Sequence, residues 1–287
     1  MRIAITGAAG QLGTDLVRTL RSRGHAVTPL TRVEVDVTSA SQMASVLTAA
    51  APELLINCTA ENRVDDCENL LTEAFTLNAF VPACIATLTR ELGIPLMHFS
   101  TDYVFDGRQR TPYLESAQPH PLSAYGLSKF TGEELVRQRN EQHYLIRVMG
   151  LYGVAGSKGK GSNFVETIIS RARAEGRVRV VTDQTGAPTY TRDLADGVAD
   201  LIGSARPFGT YHLAAEGEVT WYEFACEIIR RLGLTAEVEP VTSADFKQRA
   251  VRPAYSVVRS EMLQPLRHWR AALTAYLTEK KHLTEPA

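Results

Sequence analysis

The chain has 287 residues, which is long for one simple domain and suits a large domain with a smaller appendage. Hydrophobic residues make up 44% of the sequence, enough for a buried core. The formal net charge of −1 gives no reason to expect nucleic acid or an acidic membrane surface as a partner.

The four cysteines form no C-x-x-C pair, and no cluster with histidine resembles a metal site. We therefore expect reduced thiols and no bound metal. The start, MRIAITGAAG, lacks the basic segment, apolar core and cleavage site of a signal peptide. No apolar run approaches the length that spans a membrane, so the sequence predicts a soluble cytoplasmic protein without a membrane partner.

Strand and helix patterns alternate through the first half of the chain. Thr38 is predicted to cap the second helix, and Pro82 is predicted to bend the third. Repeated β-α units whose strands are apolar on both faces predict an α/β fold, with a Rossmann-like, doubly wound parallel sheet. The predicted strands span residues 2–6, 25–30, 54–58, 95–100 and 144–148, and the helices 11–23, 38–50, 73–92 and 123–139.

The second half of the chain is less regular. Residues 1–150 are predicted to form a Rossmann-like domain, completed by elements near 189–214. Residues 151–287 are predicted to form mainly a smaller C-terminal lobe. The predicted strands are 177–181 and 209–214, and the helices are 163–175, 191–202, 220–232 and 267–277.

A glycine-rich turn follows the first strand in the sequence TGAAGQLG, with Gly7, Gly10 and Gly13 in G-x-x-G-x-x-G spacing. Glycines let the backbone turn tightly and approach a pyrophosphate, whose charge meets the helix N-terminus. A turn that only joins strand to helix is the alternative reading. The β-α-β context at the start of the chain favours the cofactor site.

The end of the second predicted strand indicates which dinucleotide binds. An acidic residue there would hydrogen-bond the ribose of NAD, but this chain has Thr31 and Arg32. The guanidinium of Arg32 is suited to a 2′-phosphate, so NADPH is favoured and NADH stays possible. A solvated surface arginine is the alternative. Asp36 and Val37, further along, are candidates for contact with the adenine.

The sequence YGLSK places Tyr125 four residues before Lys129. Hydride transfer to a carbonyl requires a proton, and a lysine one helical turn away is expected to lower the tyrosine pKa from its usual value of about 10. Ser100 and Thr101 supply hydroxyls at a strand end, the edge where open parallel sheets bind ligands. By itself the pair is also common on solvated helix faces.

These motifs, together with STDYVFDG, DQTGAPT and RPAYSV, resemble the extended short-chain dehydrogenase/reductases. Within that group the chain is most similar to the dTDP-4-dehydrorhamnose reductase family, from residue 1 to about residue 275. The resemblance implies that NADPH reduces the C4 keto group of a nucleotide-linked 4-keto-6-deoxy sugar, here dTDP-4-dehydrorhamnose to dTDP-rhamnose.

The resemblance also implies roles for single residues. Tyr125 would donate the proton with Lys129 as its partner, and Thr101 would bind the C4 carbonyl. Asp102 and Tyr103 would face the hexose. The residues implied to contact the cofactor, besides Tyr125, Lys129, Arg32, Asp36 and Val37, are Gly7, Gly10, Gln11, Leu12, Gly13 and Ala60.

The chain departs from the family pattern at three places. Gly150 stands where the family usually has a tryptophan against the substrate, which changes the pocket. Glu61 and Arg63 replace a small-polar stretch; Arg63 is either at the pocket mouth or on the surface. A magnesium-bridged dimer described in some members needs acidic residues, and Arg192 occupies one such position. We expect no structural magnesium, and a homodimer by other contacts stays possible.

The substrate pocket is expected where Thr101, Tyr125, Gly150, Gln184, Pro188 and Arg252 converge. Arg252 is a candidate for the diphosphate, with a turn-stabilising role before Pro253 as the alternative. Two other enzyme classes share the fold, the sugar-nucleotide dehydratases and epimerases. Tyr103 stands where dehydratases carry a carboxylate, and Arg32 favours an exchangeable NADP. A third possibility is an NADP-binding regulatory subunit, like that of methionine adenosyltransferase, without turnover.

Overall fold

The computed structural model describes residues 1–156, 161–204, 206–246 and 248–283. Strands and helices alternate through its first half. In chain order these are β1 (Arg2–Thr6), α1 (Gln11–Ser22), β2 (Ala26–Leu30), α2 (Ala40–Ala50), β3 (Leu54–Asn57), α3 (Val64–Cys67), α4 (Leu71–Phe75), a π-helix (Thr76–Phe80), α5 (Val81–Glu91), β4 (Leu96–Thr101), a short 3-10 helix (Asp102–Val104), α6 (Ala124–Arg139) and β5 (His143–Val148).

The second half has shorter strands between its helices. Its elements are β6 (Leu151–Tyr152), α7 (Phe164–Glu175), β7 (Arg177–Val181), β8 (Thr185–Gly186), β9 (Thr189–Tyr190), α8 (Thr191–Gly203), β10 (Gly209–His212), β11 (Val219–Thr220), α9 (Trp221–Arg231), β12 (Glu237–Val241), a 3-10 helix (Ser243–Asp245) and α10 (Trp269–Glu279).

Six parallel strands form the central sheet in the order β10-β5-β4-β3-β1-β2. The chain moves outward from β1 to β2 and then returns to the other side of β1 to form β3. This reversal places a topological switch point between β1 and β3, where doubly wound sheets bind their ligands. The predicted Rossmann-like parallel sheet is confirmed.

Both faces of the sheet are covered by helices, because the strands are apolar on both sides. One face packs against α1 and α8 through residues such as Leu16 and Val198. The other face packs against α2, α5 and α6, with Leu47, Ile85 and Val136 in its core. Helix α8 and strand β10 therefore belong structurally with the sheet, although they lie late in the sequence.

The C-terminal part has a separate apolar core formed by α7, α9, α10, β7 and β12. Aromatic rings fill its centre: Tyr152 stacks on Tyr190, and Tyr276 meets both rings edge-on. Such ring pairs add to the stability gained from apolar burial alone. Its boundary with the sheet, near residue 150, lies beside the predicted active site.

Two local predictions need correction. Helix α2 is capped by the Ser39 side chain, which accepts from the Gln42 amide, and not by Thr38. Thr38 instead donates its hydroxyl to the carboxylate of Asp36, a competing acceptor two residues earlier. The long third helix is interrupted by a π-helical turn just before Pro82, which cannot donate a backbone hydrogen bond.

The expectation that no apolar run reaches membrane-spanning length is also wrong. The continuous helical stretch Leu71–Glu91 has 21 residues and a mean hydropathy of 1.4 over its most apolar window, of which 44% is buried. Core helices of soluble proteins meet the same criterion. The inner side of this stretch packs on the sheet and on α6 through Val81, Ile85 and Ala86.

A buried ion pair joins α6 to the sheet. Glu133 is fully buried and accepts from Arg147 of β5 at 2.9 and 2.7 Å. Arg137 donates to the same carboxylate at 2.8 Å. Burial raises the pKa of Glu133, but its bonds to Arg147 outweigh this and hold the pKa below its usual value. Each charge therefore depends on its partner to remain buried.

We expect Arg147→Leu to lower the free energy of unfolding by about 3–5 kcal/mol, since it leaves Glu133 buried without its main partner. Urea unfolding measures this loss. The matched control is Arg230→Leu, which breaks the exposed pair with Glu227 and should lower the free energy of unfolding far less. Equal losses in the two variants would contradict the argument.

Candidate active site

The glycine-rich turn lies at the switch point between β1 and β3. Gly7 has a φ of +68°, and a Cβ there would lie 3.0 Å from the carbonyl carbon of Cys58, after β3. A Cβ on Gly13 would overlap with the Gly7 carbonyl oxygen. The turn therefore needs glycine both for its left-handed backbone and for the close approach of α1 to it.

The first turn of α1 has the features that a pyrophosphate needs. Gly10 at its N-cap offers no side-chain cap, and the first turn has no acidic residue. The backbone amides of Gln11, Leu12 and Gly13 thus remain without a helical acceptor, at the positive end of the helix dipole. The Gln11 side-chain nitrogen donates to the Leu151 carbonyl at 3.1 Å, and its oxygen has no partner among the described residues. The free backbone amides of this turn fit a dinucleotide phosphate.

The predicted specificity residues follow β2 on the same edge of the sheet. Arg32 is exposed and, among the described residues, makes no hydrogen bond or ion pair. Asp36 is exposed, and its carboxylate is engaged by Thr38, while Val37 packs partly on the core. Ala60 is exposed just after β3. Contacts of these four residues with a cofactor stay predictions.

The start of α6 is held against the end of β4. The Ser123 side chain caps α6 by accepting from the Gly126 amide. A Cβ on Gly126 would overlap with the Tyr103 carbonyl oxygen, so glycine permits the helix to lie directly on the 3-10 turn. Tyr125 precedes Gly126 in the chain, and its phenol lies near the Thr101 hydroxyl. The Tyr103 ring packs edge-on against the Tyr125 ring, with centroids 5.7 Å apart.

Lys129 is buried one helical turn beyond Tyr125. Its ammonium donates to the Phe99 carbonyl at 2.6 Å. Burial lowers the pKa of Lys129 to about 8, and the charge of Glu133 opposes the shift. Burial raises the pKa of the Tyr125 phenol, and the nearby Thr101 hydroxyl acts against this rise. The Lys129 ammonium is bonded to the sheet, and its effect on the Tyr125 phenolate stays a prediction.

Asp102 is 4% exposed and contacts the Thr101 hydroxyl, which donates to its carboxylate at 3.0 Å. Burial raises the pKa of Asp102 to about 6, while the nearby hydroxyls of Ser256 and Thr101 act against this rise. The carboxyl can therefore exist in either protonation state near neutral pH.

Arg252 lies close to this group but is already paired. Its guanidinium donates to both carboxylate oxygens of Asp65, at 3.2 and 2.8 Å, and lies near the Tyr103 phenol. The contact joins the C-terminal part to α3 across the predicted pocket. Arg252 is therefore more than the turn-stabilising residue considered from sequence. Binding a diphosphate would add an anion to a guanidinium that Asp65 already neutralises.

An aromatic ring borders Gly150, at the position where the family usually has tryptophan. Gly150 has a φ of +54°, and a Cβ there would lie 3.2 Å both from Pro188 and from the ring of Trp221. Gln184 is buried nearby; its carbonyl accepts from the Trp221 amide, and its side chain donates to Ser243 at 2.7 Å. Trp221 thus supplies an aromatic wall from α9.

The charged departures from the family pattern pair with their neighbours. Arg63 donates to both carboxylate oxygens of Glu61 and also contacts Asp66, and its side chain is 38% exposed. Asp15 is buried and accepts from Thr191, next to Arg192. Within the described ranges, no group of three or more acidic, histidine or cysteine side chains is arranged to hold a metal ion. The absence of a structural magnesium stays a prediction.

Sequence reasoning missed four residues that shape this site. Asp65 and Ser256 gave no signal, because each meets its partner from a distant part of the chain. Trp221 was visible as an aromatic residue at a helix start, but nothing in the sequence brings it to Gly150. His98, buried in β4 beside Lys129, was visible only as a polar residue in an otherwise apolar strand.

We expect Asp102→Asn to change how stability depends on pH. The folded pKa of Asp102 is raised, so its contribution to stability is fully present below its unfolded pKa, near 3.8, and is lost as pH rises through about 6. Between these two pH values, the free energy of unfolding of the wild type should fall by roughly 2–3 kcal/mol relative to that of the variant. Unfolding free energies measured at several pH values test this.

The control is Asp200→Asn. It also removes a carboxylate, but one that stays exposed in the folded protein. A difference between wild type and Asp102→Asn that stays constant from pH 4 to about 7 would refute the raised pKa.

Comparison with known proteins assigns the chain to a family. The family model of the RmlD substrate binding domain matches residues 1–282. A dTDP-4-dehydrorhamnose reductase of Streptomyces griseus is 40% identical over 285 residues, covering 95% of this chain and 92% of the relative.

Two solved dTDP-4-dehydrorhamnose reductases superpose with TM-scores of 0.91. That of Clostridium acetobutylicum is 35% identical, with coverage of 98% of this chain and 100% of the other. That of Bacillus anthracis, solved in complex with NADP, is 33% identical, with coverage of 97% and 99%. The chain therefore belongs to the RmlD family, the family of the dTDP-4-dehydrorhamnose reductases.

Proposed function

We propose that the protein is an NADPH-dependent reductase acting on the C4 keto group of a nucleotide-linked 4-keto-6-deoxy sugar. The proposed reaction converts dTDP-4-dehydrorhamnose to dTDP-rhamnose. The observation that carries the proposal is that the Tyr125 phenol and the Thr101 hydroxyl lie near each other at the end of β4, on the same sheet edge as the uncapped start of α1. This arrangement combines a proton donor with a dinucleotide site.

The bound nicotinamide would supply the hydride. As negative charge develops on the C4 oxygen, the hydroxyls of Thr101 and Tyr125 are placed to hydrogen-bond that oxygen together. Tyr125 then gives up its proton to it. The buried ammonium of Lys129 favours the resulting phenolate electrostatically, although it is bonded to Phe99. The Thr101 hydroxyl donates its single proton to Asp102 in this structure, so it must turn away from Asp102 before it can donate to the C4 oxygen.

The cofactor preference is assigned to Arg32. Its guanidinium is exposed at the end of β2, and no described side chain competes for it. A 2′-phosphate is the ligand that such a fork binds best. Gly7, Gly10, Gln11, Leu12 and Gly13 would bind the pyrophosphate.

The sugar is assigned to the space between Tyr103, Gly150 and Gln184. Arg252 would contact the diphosphate only through donors that Asp65 leaves free. Dehydration is disfavoured, since burial raises the pKa of Tyr103 to about 12 and it cannot act as a base near neutral pH. A regulatory role without catalysis would not require the hydroxyls of Thr101 and Tyr125 to lie near each other.

The proposal places the protein in the cytoplasm, in agreement with four free cysteines. A homodimer formed without magnesium is part of the same proposal. Assays with dTDP-, UDP- and GDP-linked 4-keto-6-deoxyhexoses, with NMR of the product, would identify the base and the C4 configuration. Bound NADPH without turnover of any of them would favour the regulatory role.

Tyr125→Phe removes only the proton donor. We expect turnover to fall about 10²–10⁴-fold while NADPH binding, measured by fluorescence titration, is retained. The matched control is Tyr144→Phe, which removes a hydroxyl that donates to the Arg206 carbonyl. If Tyr125→Phe keeps most of its rate, the assignment of the proton donor is wrong.

Arg32→Ala should raise the Michaelis constant for NADPH by about tenfold or more and change that for NADH much less, because only NADPH carries the 2′-phosphate. Initial rates with each cofactor measure the effect. Arg23→Ala, which removes an exposed arginine paired with Asp200, is the control. Equal effects on both cofactors would exclude a 2′-phosphate contact.

A further inference from the structure

Asn57, at the end of β3, is held in one amide orientation. Its side-chain oxygen accepts from the Thr59 backbone amide at 3.1 Å, and from the hydroxyls of Thr59 and Thr6 at 2.6 and 2.8 Å. The Thr59 backbone N–H can only donate. If the Asn57 amide were turned around, its NH₂ group would face this N–H, and two donors would meet. The Asn57 nitrogen must therefore face the opposite side, where it lies 3.1 Å from His98 Nδ1.

This orientation determines the tautomer of His98. The Asn57 nitrogen donates, so His98 Nδ1 must accept and carry no proton. His98 is fully buried, and burial, followed by the charge of Lys129, lowers its pKa well below the usual range. The imidazole is therefore neutral, and its single proton lies on Nε2.

The protonated ring nitrogen of His98 faces the proposed catalytic lysine. Nε2 lies 3.5 Å from Lys129 Nζ, on the side not taken by the Phe99 carbonyl. An ammonium has three donors and no acceptor, so it cannot bond to an N–H group. A neutral amine has a lone pair that can accept from it.

We propose that Asn57 and His98 are positioning residues that present an imidazole N–H to Lys129 and thereby oppose its ammonium form. The proposal rests on the function proposed for Lys129 beside Tyr125. The other ionisable groups facing Lys129 are Glu133 on α6, which favours the ammonium, and the Cys58 thiol after β3. Glu133 is largely neutralised by Arg147. From the sheet, Lys129 meets the Phe99 carbonyl at 2.6 Å, which favours the ammonium, and the His98 ring nitrogen at 3.5 Å, which opposes it.

The arrangement sets the upper pH limit of the reductase. Reduction requires the ammonium, which favours the phenolate formed when Tyr125 gives up its proton. Burial already lowers the pKa of Lys129 to about 8. Activity should therefore fall on the alkaline side as Lys129 loses its proton, and removal of the His98 N–H should move that fall to higher pH.

The test is a titration of Lys129 by NMR in the protein without cofactor, for the wild type, His98→Phe and His98→Gln. We expect His98→Phe to raise the Lys129 pKa by about one unit, since an apolar ring replaces the opposing donor. His98→Gln can accept from Asn57 with its oxygen and present its NH₂ group to Lys129, so it should stay close to the wild type. The alkaline limb of kcat/KM should shift in parallel.

The control is Asn140→Leu, which removes another buried amide that bonds Thr89 and Ile94 at the far end of α6. An unmoved Lys129 pKa in His98→Phe, or an equal shift in Asn140→Leu, would overturn the proposal. If the variants do not fold, ¹⁵N NMR of the wild-type imidazole decides: a proton on Nδ1 refutes it, and a proton on Nε2 supports it. If His98→Phe shifts the Lys129 pKa as expected but the wild type has no reductase activity, the proposed function is refuted and the role of His98 is not.

Discussion

The site depends on the close approach of α6 to the ends of the strands. Glycines make this approach possible: Gly126 lies against the Tyr103 carbonyl, and Gly132 lies against the Asn78 carbonyl in the π-helical turn, where any side chain would overlap. The buried pair of Glu133 and Arg147 fixes the same helix to β5. Tyr125 and Lys129 lie on the face of α6 that these contacts bring to the sheet, so their positions follow from backbone packing.

Most of the fold could be predicted because its signals are local. The strands are short apolar runs, and helices such as α6 and α7 begin at capping side chains, Ser123 and Asn163, that are visible in the sequence. The errors arose where a neighbouring residue changed the hydrogen bonding that the local pattern predicts. Asp36 took the hydroxyl of Thr38, and Pro82 converted a helical turn into a π-helix.

The candidate site could be predicted only in part. The glycine turn, Thr101, Tyr125 and Lys129 lie at fixed places in recognisable motifs, and the structure brings the last three together. The direction in which the Lys129 side chain points could not be predicted, because its acceptor, the Phe99 carbonyl, belongs to a different element. Partners from distant parts of the chain, such as Arg252 with Asp65, or Gly150 with its aromatic neighbour, leave no pattern in one sequence.

The side chain of Gln11 connects two regions that perform different tasks. It begins α1 beside the glycine turn, and its nitrogen binds the carbonyl of Leu151, the residue after Gly150. A displacement of the turn is therefore expected to reach the loop that we propose borders the hexose. Redesign of the chain for another dinucleotide through this turn would alter its tolerance for different hexoses as well, so the two selectivities cannot be engineered independently.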